Sequence, residues 1–139
     1  MAQSPTYMLQ AIGHVRSTLT NRADAPRQGD EGAPAAWLEF SPAVQDGLRD
    51  LRVGDDVLVL TWLDRGRRDM LAVHPRGDAS APLTGVFSTR SPDRPNPVGL
   101  HRTTIAAIDG LRVQVRNIEA LDGTPVIDLK PVLAHLPEA

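Results

Sequence analysis

Between Leu111 and Arg116 the chain alternates strictly, with Leu111, Val113 and Val115 apolar and Arg112, Gln114 and Arg116 polar. A repeat of two belongs to a strand with one face buried and one in water, and no helix satisfies it. Asp109-Gly110 supplies the tight turn just before this run, so the stretch Leu100 to Asn117 carries the clearest strand signal in the chain. Other short apolar runs extend the pattern. Tyr7 to Val15 reads as a first strand, Trp37 to Phe40 as a second, and Val126 to Leu129, after the turn Asp122-Gly123-Thr124-Pro125, as a last one. Val57 to Leu63 and Met70 to Val73, joined by the charged turn from Asp64 to Asp69, read as a hairpin.

One short helix interrupts the strands. Ser41 is an N-cap residue, Pro42 follows in the first turn, and Val44, Leu48 and Leu51 form one apolar stripe before Gly54. A long connection from Ser17 to about Ala36 contains charge, Gly and Pro without an apolar period. Six or seven short strands with one helix predict a mostly β fold, a small single-sheeted β-barrel with long loops, because closure removes exposed strand edges. At 139 residues the chain is expected to be a single domain spanning 1–139.

Composition narrows the chemistry. Aromatic residues make up 4% of the chain against 41% hydrophobic, so the core must be aliphatic and platforms for stacking bases are scarce. The absence of cysteine excludes disulfides, thiolate metal ligands and cysteine nucleophiles, and fits a reducing compartment. No apolar run approaches the roughly 20 residues of a membrane helix. The expected location is the cytoplasm. A net charge of −2 argues against holding nucleic acid by bulk electrostatics, although a local basic patch is compatible with it. Arg65, Arg67, Arg68 and Arg76 form the candidate patch, with a solvated turn as the other reading.

Phosphate-binding and dinucleotide-binding glycine loops are absent, as is a helical metal-binding His pair. His14, His74, His101 and His135 are scattered and read as surface or core residues; no metal is expected. The segment GVFSTRSPDRPNPVGL, Gly85 to Leu100, stands apart. Pro92, Pro95 and Pro97 fix φ and remove three backbone donors, which keeps the segment out of a central strand and stiffens it. A stiff loop carrying Ser88, Thr89, Arg90, Ser91, Asp93, Arg94 and Asn96 presents preorganised hydrogen-bonding groups. A structural loop whose polar groups bond its own backbone has the same composition.

That segment, together with HPRGD at 74–78, LDGTPVIDLKP at 121–131, IGHVRS at 12–17 and PRQ at 26–28, resembles the TsaA/TrmO-like family from Ile12 to Pro131. The resemblance implies a β-barrel that forms a homodimer, binds S-adenosyl-L-methionine near the subunit interface and methylates tRNA. The methyl acceptor would be the exocyclic nitrogen of threonylcarbamoyladenosine, next to the anticodon. By motif position, Arg27, Gln28, Leu63, Asp64, Arg90, Leu100, Ile118, Glu119, Leu121, Asp122 and Gly123 would bind the cofactor. Leu63-Asp64 stand where family members carry a His-containing pair, and the longer tRNA enzymes continue into a C-terminal extension.

S-adenosyl-L-methionine carries a carboxylate, an ammonium and a sulfonium. A guanidinium such as Arg90 can grip the carboxylate with two hydrogen bonds, Glu119 or Asp122 can face the cations, and Leu100 and Leu121 can flank the adenine. Asp93, Asp122 and Asp128 are candidates for a base by type, with none singled out. Two further readings stand beside tRNA methylation: a methyltransferase for another small or nucleoside acceptor, and a non-catalytic module that binds the cofactor or RNA.

Overall fold

The computed structural model describes residues 4–26 and 32–133. Arg27, Gln28 and His135 lie outside the described residues. Among the described residues eight strands occur: β1 (Gly13–Arg16), β2 (Ala36–Phe40), β3 (Asp56–Trp62), β4 (Ala72–Val73), β5 (Thr84–Gly85), β6 (Val98–Asp109), β7 (Arg112–Val115) and β8 (Pro125–Pro131). Six of them form one antiparallel sheet in the order β1-β2-β7-β6-β3-β8, which curls until β8 pairs back onto β1 and closes the ring. That closing seam is short, Gly13 opposite Val126 and His14 opposite Pro125. β4 and β5 make a separate two-stranded ribbon.

The alternating run is β7, with Val113 and Val115 wholly buried and Asp109-Gly110 turning the chain back onto β6. Gly110 takes φ +60, a conformation that favours glycine. β6 is long enough to serve two neighbours, its first half pairing with β3 and its second with β7. Irregular registers at Leu60/Thr61 and at Ile105/Ala107 mark where the sheet bends.

The inward faces meet in an aliphatic core of Val15, Leu38, Val57, Val59, Ile105, Val113, Val115, Ile118 and Val126, with Phe40 as its one aromatic ring. Burying that apolar surface is the main favourable term in folding. On the outside, Arg112 lies over the Trp37 ring, 4.4 Å from its centroid.

Three expectations are corrected. The hairpin of Val57–Leu63 with Met70–Val73 does not form, because β6 and β8 occupy both edges of β3, and β4 pairs with β5 instead. The first strand begins at Gly13, since Tyr7, Met8 and Leu9 stay exposed and bury no face against the core. The helix is a 3-10 helix, Pro42–Leu48, capped by Ser41 accepting from the Ala43 N–H. Pro42 lacks a backbone donor and Gly47 is a weak helix former, which suits a short, tight helix. Its apolar stripe works as expected, with Val44, Leu48 and Leu51 packed on the core.

Candidate functional site

The proline-rich segment is rigid because its own side chains tie its backbone. Val86, buried, anchors a 3-10 turn over Val86–Ser88. The Thr89 hydroxyl donates to the Val86 carbonyl and accepts from the Ser91 N–H, and the Ser91 hydroxyl accepts from the Asp93 N–H. Arg94 donates from Nη1 to the carbonyls of Thr89 (3.0 Å) and Ser91 (3.3 Å) and from Nη2 to that of Val86 (2.5 Å). A planar fork spreads its donors over two Nη atoms, which suits three carbonyls spaced along a loop.

The charged turn after β3 clamps this segment from outside. Arg67 N–H donates to Asp93 Oδ1 at 2.9 Å, Arg94 N–H donates to the Arg67 carbonyl at 2.8 Å, and Leu63 N–H to the Pro97 carbonyl at 2.7 Å. A Cβ at Gly66 would stand 2.1 Å from the Pro92 carbonyl oxygen, so only glycine permits this approach. Arg22 adds two 3.3 Å hydrogen bonds to the Asp93 carboxylate. Burial raises the Asp93 pKa, but the Arg67 N–H, the Arg22 hydrogen bonds and the charges of Arg22 and Arg67 outweigh it, and the carboxyl lies below its ordinary value.

The arginines of the candidate basic patch are engaged by their own chain. Arg65 donates to the Thr20 carbonyl, Arg67 pairs with Asp69, and Arg68 bonds the Pro95 carbonyl and Asn96 while lying over Trp62. Arg76 occupies a turn with φ +57. The candidate bases are employed too: Asp93 as above, Asp122 accepting from the Ser17 N–H, and Asp128 paired with Lys130.

Four of the expected cofactor residues converge on the first half of β6. Leu100 is on its outward face opposite Leu60, and its carbonyl accepts from Arg90 Nη1 at 3.5 Å. The Leu63 side chain lies against Gly99, a Cβ there standing 3.1 Å from its Cδ2. Glu119 reaches β6 from the other side, its Oε1 2.5 Å from His101 Nδ1. Asp64 is exposed at the strand end beside Leu63.

The rest of the 118–123 stretch secures the segment. Ile118 is wholly buried in the core, Leu121 is buried, Asp122 N–H donates to the Leu19 carbonyl, and Gly123, at φ +82, donates to the Val15 carbonyl.

His101 and Thr61 are the residues the sequence reading missed. His101 is buried, with Nε2 2.7 Å from the Thr61 hydroxyl, and Thr61 is fully buried. The available signal was the alternation in β6, where Gly99, His101, Thr103 and Ile105 share the inward face. A polar side chain on a buried face needs partners. A carboxylate only accepts, so Nδ1 carries the proton given to Glu119; in the neutral ring Nε2 then accepts the Thr61 hydroxyl proton. Among the described residues no group of three or more His, Cys, Asp or Glu could hold a metal ion, and no helix is long and apolar enough to cross a membrane.

The model of the tRNA-methyltransferase O N-terminal domain matches residues 14–137. A probable S-adenosyl-L-methionine-binding protein of Archaeoglobus fulgidus is 42% identical over 123 residues, covering 88% of this chain and 33% of that protein. A second protein of that organism, named an S-adenosyl-L-methionine-binding protein, is 41% identical over 123 residues and is covered to 87%. Two crystal structures of TrmO from Pseudomonas aeruginosa superpose with TM-scores of 0.74 and 0.73 at 26% and 25% identity, covering 99% and 97% of this chain. This chain spans a third of the first relative's length and 62% and 61% of those two solved chains. With nearly the whole chain matched, the protein belongs to the family of the tRNA-methyltransferase O N-terminal domain, the TsaA/TrmO family.

Proposed function

We propose that this chain is an S-adenosyl-L-methionine-dependent methyltransferase domain that modifies the exocyclic nitrogen of threonylcarbamoyladenosine in tRNA, as a cytoplasmic homodimer. The observation that carries the reading is that Arg90, Leu63, Leu100 and Glu119 all bear on the first half of β6, Arg90 through the Leu100 carbonyl, Leu63 beside Gly99 and Glu119 through His101. These residues suit the cofactor's chemistry. Arg90 is exposed, and its hydrogen bond to the Leu100 carbonyl is long at 3.5 Å, which leaves a guanidinium fork suited to a carboxylate. Glu119 supplies the opposite charge, and Leu63 and Leu100 supply apolar surface.

When bound, the cofactor would supply a methyl group already activated on a sulfonium, so the protein's task is chiefly alignment. The braced proline segment performs that task for Arg90, because each of its carbonyls held by Arg94 is one fewer motion to freeze on binding. The names of the relatives support the cofactor, and the family model supports tRNA as the acceptor. A homodimer agrees with the apolar exposure of Leu71 and Leu83, each just before a ribbon strand, and of Phe87 in the following turn.

Calorimetric titration with S-adenosyl-L-methionine tests the reading. One saturable site per chain is expected, weakened at least tenfold in Arg90→Ala, the loss of a charge-assisted pair. Methyl transfer is then expected to tRNA carrying threonylcarbamoyladenosine and not to tRNA lacking it. Binding without transfer to any tRNA would support the non-catalytic reading, and transfer to small molecules alone would support another acceptor.

A further inference from the structure

The Thr61, His101 and Glu119 side chains form a polar chain that runs from the aliphatic core toward the surface. Thr61 and His101 are buried among Val57, Val59 and Ile105 of the same strands, whereas the Glu119 side chain keeps 16% exposure. The sequence makes room for this chain. A Cβ at position 99 would stand 2.3 Å from Thr61 Oγ1 and 2.8 Å from His101 Nε2, so glycine there is a condition of the Thr61 to His101 bond. Buried polar pairs seldom add net stability over apolar residues of the same volume, which makes stability alone a weak reason for three polar groups here. Their shared product is a carboxylate fixed in place: His101 occupies Oε1, and the side chain keeps 16% exposure, so the group is held by one oxygen and still reaches solvent.

We infer that His101, itself held by Thr61, is a positioning residue that aims the Glu119 carboxylate at the cationic tail of the cofactor. The inference rests on the cofactor reading above and deepens it. His101 does not touch the ligand; it acts by restricting the Glu119 rotamers, so that the counter-charge is preorganised rather than recruited on binding. Asn can place an amide donor near the position of Nδ1, whereas Phe fills the same volume with no donor, which separates positioning from packing.

The test measures affinities of the purified chain for three ligands by calorimetry. S-adenosyl-L-methionine carries sulfonium and ammonium, S-adenosylhomocysteine carries only the ammonium, and 5′-methylthioadenosine carries neither. Glu119→Gln is expected to weaken S-adenosyl-L-methionine about tenfold and to leave 5′-methylthioadenosine unchanged, with S-adenosylhomocysteine showing which cation is faced. His101→Phe is expected to reproduce most of that loss and to add nothing in the Glu119→Gln background. His101→Asn is expected to restore most of the affinity. Because His101→Phe strands the Thr61 hydroxyl, His101→Phe with Thr61→Val is the second form of the variant.

Without ligand, nitrogen NMR of the His101 ring is expected to show the proton on Nδ1. Equal losses for all three ligands, additive effects of the two sites, or an unprotonated Nδ1 would each overturn the inference while the cofactor reading survives. Failure of the unaltered chain to bind either S-adenosyl-L-methionine or S-adenosylhomocysteine would overturn both.

Discussion

Replacing Gly66 by alanine probes the contact that joins the charged turn to the proline-rich segment. The new Cβ would stand 2.1 Å from the Pro92 carbonyl oxygen and 3.1 Å from that of Leu63, both backbone atoms that no rotamer change can move. Real Cβ contacts essentially never fall below 3.0 Å, so the two loops must separate by almost an ångström. That movement stretches the Arg67 N–H bond to Asp93, 2.9 Å, and the Arg94 N–H bond to the Arg67 carbonyl, 2.8 Å. Each is worth about 1 kcal/mol net, and strain of overpacking adds about 1–3 kcal/mol if the loops resist. A destabilisation of about 2–5 kcal/mol is expected.

Urea denaturation reads this loss directly: with a slope of about 2 kcal/mol per molar, the midpoint falls by about 1–2.5 M and the slope is unchanged. Gly47→Ala is the matched control, because nothing lies within 4 Å of its built Cβ. It is expected to lose nothing and to gain up to about 1 kcal/mol, since alanine suits a helix better than glycine. If Gly66→Ala also loses nothing, the proline segment yields freely and the clamp described here does not exist.

Arg94→Lys keeps the charge but cannot span the carbonyls of Val86, Thr89 and Ser91, so a loss of about 1–3 kcal/mol in the same denaturation assay is expected; an unchanged midpoint would mean that charge, not the fork, is what matters. The carboxyl of Asp93 has a folded pKa below its unfolded value of 3.8, so the unfolded chain binds the proton first as pH falls. Its contribution is therefore complete above about pH 5 and is lost below about pH 4 as the folded carboxyl protonates. Asp93→Asn is expected to flatten that part of the stability curve, and parallel curves for the two proteins between pH 5 and 2.5 would contradict it.

Much of the architecture was legible because it rests on local pattern. The alternation of Leu111 to Arg116, the Asp109-Gly110 turn and the Ser41-Pro42 cap report steric and hydrogen-bonding preferences of neighbouring residues, and β7, its turn and the capped helix all occur where the sequence places them. The prolines at 92, 95 and 97 likewise marked a stiff segment, which the structure shows tied to its own backbone by Thr89 and Arg94. Pairing was not legible in the same way. Nothing local tells β3 that both its edges will be taken by strands some 40 and 70 residues later, and the adjacent run was therefore read as its hairpin partner.

The candidate site divides along the same line. Arg90, Leu100 and Glu119 stood out through motif position, but motif order cannot show that Arg90, Leu63 and Glu119 each contact a neighbouring residue of β6, Leu100, Gly99 and His101 respectively. His101 shows the limit most sharply. In the sequence it is one of four scattered histidines, whereas in the fold its ring sits between Thr61, 40 residues before it, and Glu119, 18 residues after it. The sequence by itself determined the strand character of β2, β3, β7 and β8, the turn before β7 and which loop is stiff, because steric preference and hydrophobic period act between near neighbours. Strand order, the clamp on the proline segment and the buried Thr61, His101 and Glu119 chain were decided only by tertiary structure, because hydrogen bonds and burial are set by distance in space.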